Sequence, residues 1–80
     1  MGETITSPLP GTFYRRPDPE SDPFVSEGDP VRAGDVVGLV EIMKSFHEIV
    51  SHAEGVVARF LVENGELVDA GQIIIALEPA

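Results

Sequence analysis

The chain reads as an all-β protein built from two similar halves, and three observations lead there. The sequence repeats itself: Gly28–Glu41 aligns with Gly65–Glu78 at a constant offset of 37, with Gly28/Gly65, Val31/Val68, Ala33/Ala70, Gly34/Gly71 and Glu41/Glu78 identical. The apolar runs that close each copy are short, rich in β-branched residues and bounded by Gly or Pro, which is the pattern of strands rather than helices. An upstream pair, Ser7–Arg15 and Ser51–Arg59, repeats at an offset of 44. Two copies are too few for a solenoid; they suit a small domain folded about a pseudo-twofold axis.

The pattern places strands near residues 3–7, 11–15, 36–42, 46–50, 55–62 and 73–78 of a single domain spanning 1–80. Gly28–Gly34 and Gly65–Gly71 read as tight turns around a short extended piece, with Gly at positions that need positive φ. The two offsets differ by seven, so the first half holds seven residues more than the second, between Arg15 and Gly28. That stretch, Arg16-Pro17-Asp18-Pro19-Glu20-Ser21-Asp22-Pro23, carries three prolines and three acids. Proline cannot donate to a ladder, so the stretch is expected to be a protruding loop at about 16–23, inserted into one half only.

Val36–Val50 is ambiguous by periodicity. Asp35 could cap a helix in which Val36, Val40, Met43, Phe46 or His47, and Val50 share a face. The repeat decides otherwise, because its partner Ile73–Leu77 is short and stopped by Pro79. Fifteen residues of continuous strand would span about 50 Å, whereas a domain this small is about 30 Å across. The chain must therefore reverse within the stretch. No Gly, Pro, Asn or Asp occurs from Leu39 to Val50, yet a two-residue hairpin wants such residues because both central positions take positive φ. The flanking apolar runs put the reversal at Met43-Lys44. Local rules tend to be broken at functional sites, and this turn holds the only lysine of the chain.

Composition narrows the function. An 80-residue chain buries only about 60–65% of its unfolded surface, which leaves little room for a deep catalytic cleft. It has no cysteine, hence no thiolate chemistry. A formal charge of −9 repels phosphate backbones and anionic lipid, so nucleic acid and membrane are not expected partners. No basic-then-apolar leader and no bilayer-length apolar run is present, and the expected compartment is cytoplasmic. Met1-Gly2-Glu3-Thr4-Ile5-Thr6 matches an acylation pattern that recurs by chance and is followed by nothing basic. His47 and His52 lack metal-ligand spacing, and Asp18, Glu20, Asp22, Glu27 and Asp29 lack calcium-loop spacing. The metal expectation is none. Phe13, Phe24, Phe46, Phe60 and Tyr14 read as packing residues, with Phe46 near enough to the turn to be read by a partner.

With these residues in view, the chain resembles the biotinyl domain of the biotin carboxyl carrier family of acetyl-CoA carboxylase. Ser7-Pro8 with Gly11–Arg15 resembles its opening strand segment. Val40-Glu41-Ile42-Met43-Lys44 resembles its Glu-Ala-Met-Lys-Met signature, and Gly55-Val56-Val57 with Glu63–Val68 resembles its closing half. Ile42 stands where the family has Ala, and Ser45 where it has a second Met. The Arg16–Pro23 insertion sits where this carrier type has a thumb.

The resemblance implies a flattened β-barrel of two four-stranded antiparallel sheets with pseudo-twofold symmetry and Lys44 at an exposed hairpin tip. It implies biotin on the Lys44 ε-amine, Met43 as a feature read by biotin protein ligase, and Glu41 and Ser45 beside the attachment point. The implied role is that of a non-catalytic carrier. It moves CO2 from biotin carboxylase to a carboxyltransferase, for acetyl-CoA carboxylation to malonyl-CoA in fatty acid synthesis, with the thumb (Arg16, Pro17, Asp18, Pro19, Glu20, Ser21, Asp22, Pro23) folding over the biotin ring. Two alternatives share the fold. One is a lipoyl-type swinging-arm carrier, whose lysine is usually preceded by Asp and which lacks the insertion. The other is an unmodified interaction domain.

Overall fold

The computed structural model describes residues 3–80, so the acylation-like pattern beginning at Met1-Gly2 lies partly outside the described residues. Eight strands follow one another: β1 (Thr4–Thr6), β2 (Gly11–Tyr14), β3 (Pro30–Val31), β4 (Val36–Ile42), β5 (Ser45–Val50), β6 (Gly55–Phe60), β7 (Leu67–Val68) and β8 (Ile73–Glu78). They form two four-stranded sheets of order β1-β8-β6-β3 and β5-β4-β2-β7. All pairings are antiparallel. The flattened barrel measures 35 × 27 × 20 Å. Among the described residues no helix is long and apolar enough to cross a membrane.

The six strands expected from the sequence are present, with ends shifted by up to two residues. The extended pieces inside the two glycine-bounded turns are the strands β3 and β7, each of two residues, too short for any alternation to register. Val36–Val50 is a hairpin, and the helix alternative is overturned. Packing decides it: as a pair of strands the stretch buries Val37, Val40 and Ile49 completely between the sheets.

The repeat is visible bond by bond. The Ser7 hydroxyl donates to the Leu9 carbonyl at 2.6 Å, and the Ser51 hydroxyl to the Ala53 carbonyl at 2.6 Å. The Ser7 amide donates to the Gln72 carbonyl and the Ser51 amide to the Asp35 carbonyl, both at 2.9 Å. In the turns, the amide of Ser26 donates to Asp29 Oδ2 and that of Glu63 to Glu66 Oε1, both at 2.9 Å. Gly28 and Gly65 hold matching φ of 94° and 88°, a region closed to side chains with a Cβ except at a cost. Each half thus closes its turn by the same local chemistry, and the two halves exchange equivalent bonds.

The core is made of the inward residues of both sheets. Ile5, Val31, Val57, Ile75 and Leu77 from one sheet meet Phe13, Val37, Val40, Ile49 and Val68 from the other. Phe13 is the largest side chain fully enclosed. It lies against Gly38, where an added Cβ would stand 2.7 Å from Phe13 Cε1 and 3.1 Å from the Tyr14 carbonyl oxygen. Neither neighbour can retreat, since one is in the core and the other is sheet backbone. Gly38→Ala is therefore expected to destabilise the fold by about 1–3 kcal/mol, read as a lower urea midpoint at unchanged slope; an unchanged midpoint would show that the sheet yields at this point.

Candidate functional site at the β4–β5 tip

The register of the hairpin leaves two residues for its turn. Ile42 pairs with Ser45, so Met43 and Lys44 are its only central residues. Both adopt left-handed backbone, at φ 48° and 68°. This is the demand of a two-residue turn whose twist matches its strands, met here without Gly or Asn. Each such residue costs of order 1–3 kcal/mol. Met43 is 93% exposed, and Lys44 is exposed beside it. The lysine amine thus stands at the outermost point of a strand pair whose other end is locked in the core by Ile49 and Val37.

Cross-strand pairing sets the surroundings. Phe46, Glu41, Thr12 and Leu67 lie opposite one another across β5, β4, β2 and β7, and paired residues project to the same face. Tyr14 lies on that face one pleat further along β2. Its hydroxyl donates to Glu41 Oε1 at 3.2 Å. Its ring meets that of Phe46 at a centroid separation of 6.1 Å and an interplanar angle of 50°, within the range favoured by tilted aromatic pairs. The Glu41 carboxylate beside it raises the Tyr14 pKa above 10.0, first through the hydrogen bond and then, after partial desolvation, by Coulomb repulsion of the phenolate.

The inserted loop approaches the same corner. Tyr14, Phe46, Asn64, Arg16, Pro17, Asp18 and Pro19 enclose a largely apolar cavity of about 280 Å³. The loop has internal order. Asp18 Oδ1 accepts from the Glu20 amide at 3.0 Å and Asp18 Oδ2 from the Ser21 hydroxyl at 2.8 Å. These bonds hold the Asp18 carboxyl below its usual range. At the loop's neck the Phe24 amide donates to the Arg15 carbonyl at 2.9 Å, and the Arg15 guanidinium lies 3.9 Å over the Phe60 ring.

Of the residues singled out in the sequence, Met43 and Lys44 form the tip and Ser45 opens β5 as an exposed residue. Glu41 is half-buried beneath the tip. Arg16, Pro17, Asp18 and Pro19 line the cavity, while Glu20, Ser21, Asp22 and Pro23 are not among its lining residues. His47 and His52 join no group of metal-ligating side chains among the described residues. The sequence assigns no cavity to Tyr14, Phe46 or Asn64: Tyr14 and Phe46 read as packing residues, Phe46 also as one a partner could read, and Asn64 only as part of the Glu63–Val68 segment. For Tyr14 and Phe46 a signal existed, because both fall on the Glu41 face once the strand register is known.

The fold and its corner define a class: a small all-β domain that presents its only lysine on a two-residue hairpin tip beside an apolar recess. The sequence matches the family described as "Biotin-requiring enzyme", within the biotin–lipoyl group, over residues 3–77. The chain belongs to that family. It is 43% identical over 75 residues to the biotin carboxyl carrier protein of acetyl-CoA carboxylase of Porphyra purpurea, and the match covers 94% of this chain and 48% of that protein. It is 39% identical over 77 residues to the same carrier of Haemophilus influenzae, covering 96% of this chain and 50% of that one. It thus spans about half the length of these relatives. The crystal structure of Kluyveromyces lactis urea carboxylase superposes with a TM-score of 0.80 at 29% identity, covering 98% of this chain and 6% of that one.

Two outcomes follow from the tip and the corner. Replacing Met43-Lys44 by Asn-Gly relieves both left-handed side chains and is expected to stabilise the chain by about 1–2 kcal/mol, seen as a higher denaturation midpoint, while removing the amine. Tyr14 is the only tyrosine and there is no tryptophan, so its phenolate absorbance reports on it alone. It should titrate above 10.0 and shift down toward the ordinary value in Glu41→Ala, which removes both the hydrogen bond and the charge. Because the folded pKa is raised, the Tyr14 contribution to stability is present below the ordinary tyrosine value and is lost as pH rises through the folded one. A wild-type titration at the ordinary value would refute the Tyr14–Glu41 bond.

Proposed function

We propose that this chain is the biotinyl domain of a biotin carboxyl carrier, with biotin joined as an amide to Lys44 Nζ. It passes a carboxyl group from biotin carboxylase to a carboxyltransferase that forms malonyl-CoA from acetyl-CoA. The observation that carries the reading is the position of the only lysine, held outward on a strained two-residue turn of a fold that belongs to the biotin-requiring family. The names of the relatives support the choice of acyl-CoA.

The residues present fit such a group. The Lys44 amine is exposed for acylation. An apolar recess lies within two residues of it along β5, walled by Phe46, Tyr14, Pro17 and Pro19, with Arg16, Asp18 and Asn64 supplying polar edges. Phe46 and the Pro17–Pro19 segment would hold an apolar bicyclic ring with a polar rim. When bound, biotin supplies a ureido nitrogen that accepts and releases a carboxyl group.

The rest is work for the chain's own residues. The turn presents the amine away from the core, so a ligase can close around Met43 and Lys44 without unfolding a strand. The chain places no general base on the tip, so activation for acylation falls to biotin protein ligase. Acylation removes one positive charge and takes the formal charge from −9 to −10. The tether then keeps the group at high effective concentration near two separate active sites, and the carrier itself needs no catalytic acid or base. The Arg16–Pro23 loop covers the ring between visits. This assigns the domain to the compartment of its enzymes, which we take as cytoplasmic.

Intact mass after incubation with biotin, ATP and a biotin protein ligase tests the assignment. One added biotinyl group, absent in Lys44→Arg, is the expected result. Modification by a lipoate ligase instead would move the chain to the lipoyl carriers, and no modification by either would leave an unmodified interaction domain. Deleting Pro17–Pro23 should return the NMR shifts of the attached biotin ring to those of free biotinyl-lysine; unchanged shifts would sink the role given to the loop.

A further inference from the structure

The inserted loop belongs to the first half of the repeat, yet it is held from the second. β2 and β7 pair through Gly11–Val68 and Thr12–Leu67. The ladder then continues past β7, with the Phe13 amide donating to the Glu66 carbonyl at 2.9 Å and the Gly65 amide to the Phe13 carbonyl at 2.7 Å. In an antiparallel ladder the next donor on the same edge is two residues on, which is the Arg15 amide. No main-chain carbonyl meets it. It donates instead to the side-chain carbonyl Oδ1 of Asn64 at 2.8 Å. Immediately beyond, the Arg15 carbonyl accepts from Phe24 and the loop begins.

We propose that Asn64 is the positioning residue of the Arg16–Pro23 loop: its amide side chain supplies the last rung of the β2–β7 ladder and thereby sets where the loop leaves the sheet and stands beside the Lys44 tip. Three further observations bear on this. By the offset of 37 the counterpart of Asn64 is Glu27, and by the offset of 44 the counterpart of Arg15 is Arg59. No loop leaves the chain at Arg59, where β6 runs on to Phe60, and among the described residues Glu27 makes no such bond. The side chain differs between the halves where only one half has a loop to hold. Second, Asn64 is not demanded by its backbone. Among the described residues the only non-glycine residues at positive φ are Met43 and Lys44, so the usual reason for Asn in a tight turn does not apply. Third, Asn64 lines both recesses beside the neck, the Tyr14–Phe46 cavity and a shallower one with Arg15, Arg16, Glu27, Phe60, Val62 and Glu63. It sits between the loop and the rest of the domain.

The functional meaning of this role rests on the loop covering Lys44-linked biotin; its structural test does not. The test uses the 15N-labelled 80-residue chain, unmodified and biotinylated, as wild type, Asn64→Ala and Asn64→Asp. In unmodified Asn64→Ala the Arg15 amide should exchange about five- to tenfold faster, and the amide shifts of Arg16–Asp22 should move. The core amides of Val40 and Ile75 should keep their protection. Asn64→Asp keeps an acceptor at the same place and should restore the Arg15 and loop signals. In the biotinylated form, Asn64→Ala should move the biotin ring shifts toward those of free biotinyl-lysine. An Arg15 amide that stays protected in Asn64→Ala, with loop shifts unchanged, overturns the proposal, as does a failure of Asn64→Asp to restore them. If the loop responds as expected but the biotin ring shifts are already those of free biotinyl-lysine in wild type, Asn64 positions the loop and the covering role given to the loop is wrong.

Discussion

The pairing of Ile42 with Ser45 is the constraint on which the site depends. The core fixes it from the far end, since Val37, Val40 and Ile49 are fully buried in this register and a one-residue slip of a strand moves its inward side chains to the opposite face. Given that register, two residues must reverse the chain, and they must do so in left-handed backbone whatever their identity. The hydrophobic effect across the barrel therefore provides the free energy that holds Met43 and Lys44 in conformations they would not choose. A lysine on a relaxed loop would be equally exposed but would have no fixed direction.

Symmetry explains most of the remaining architecture, and its breakdown explains the site. The equivalent serine, glycine and turn bonds of the two halves form one interlocked set, so neither half closes alone. Among the described residues the left-handed side-chain turn occurs once, at Met43-Lys44. The inserted loop likewise exists once, and it emerges from β2, the strand next to the tip hairpin in the same sheet. Both departures from twofold symmetry thus fall in one sheet and converge on the corner of Tyr14 and Phe46. A fold this small has no room for a cleft between domains; it obtains a recess by adding a loop to one copy of a duplicated half.

Much of this could be read in the residues, for identifiable reasons. The repeat was legible because the turn chemistry depends on single residues at fixed spacing, and Gly28, Gly34 and their counterparts kept their places. The reversal at Met43-Lys44 was legible because strand length and domain size left no other outcome. β3 and β7 were seen only as extended pieces, since two-residue strands owe their existence to what they pair with and not to their own alternation. The Tyr14–Glu41 bond and the Tyr14–Phe46 contact were hidden for the same reason. They are diagonal and cross-strand contacts, and they follow from register, which a linear pattern does not state. Asn64 was hidden more deeply. Asn-Gly looks like turn chemistry, and nothing local distinguishes an asparagine that makes a turn from one that completes a distant ladder.

The tip also shows what its partners have to read. Lys44 is its only cation, and the amide proposed above would remove that charge. Glu41, the nearest acid beneath it, is tied to the Tyr14 hydroxyl. What remains displayed is apolar: Met43 at 93% exposure and Phe46 at 55%. Isolated exposed apolar residues need no explanation, but Met43 occupies the strained turn itself, where folding favours Asn and Gly, and Phe46 follows two residues after Lys44. For Met43 both the exposure and the backbone are costly to the free domain. In the role proposed above, the ligase meets a charged amine while the carboxylase and the transferase meet a neutral amide, so the charge of Lys44 is not common to the three. Shape and apolar contact survive the modification, and the strained turn is the device that keeps them facing outward.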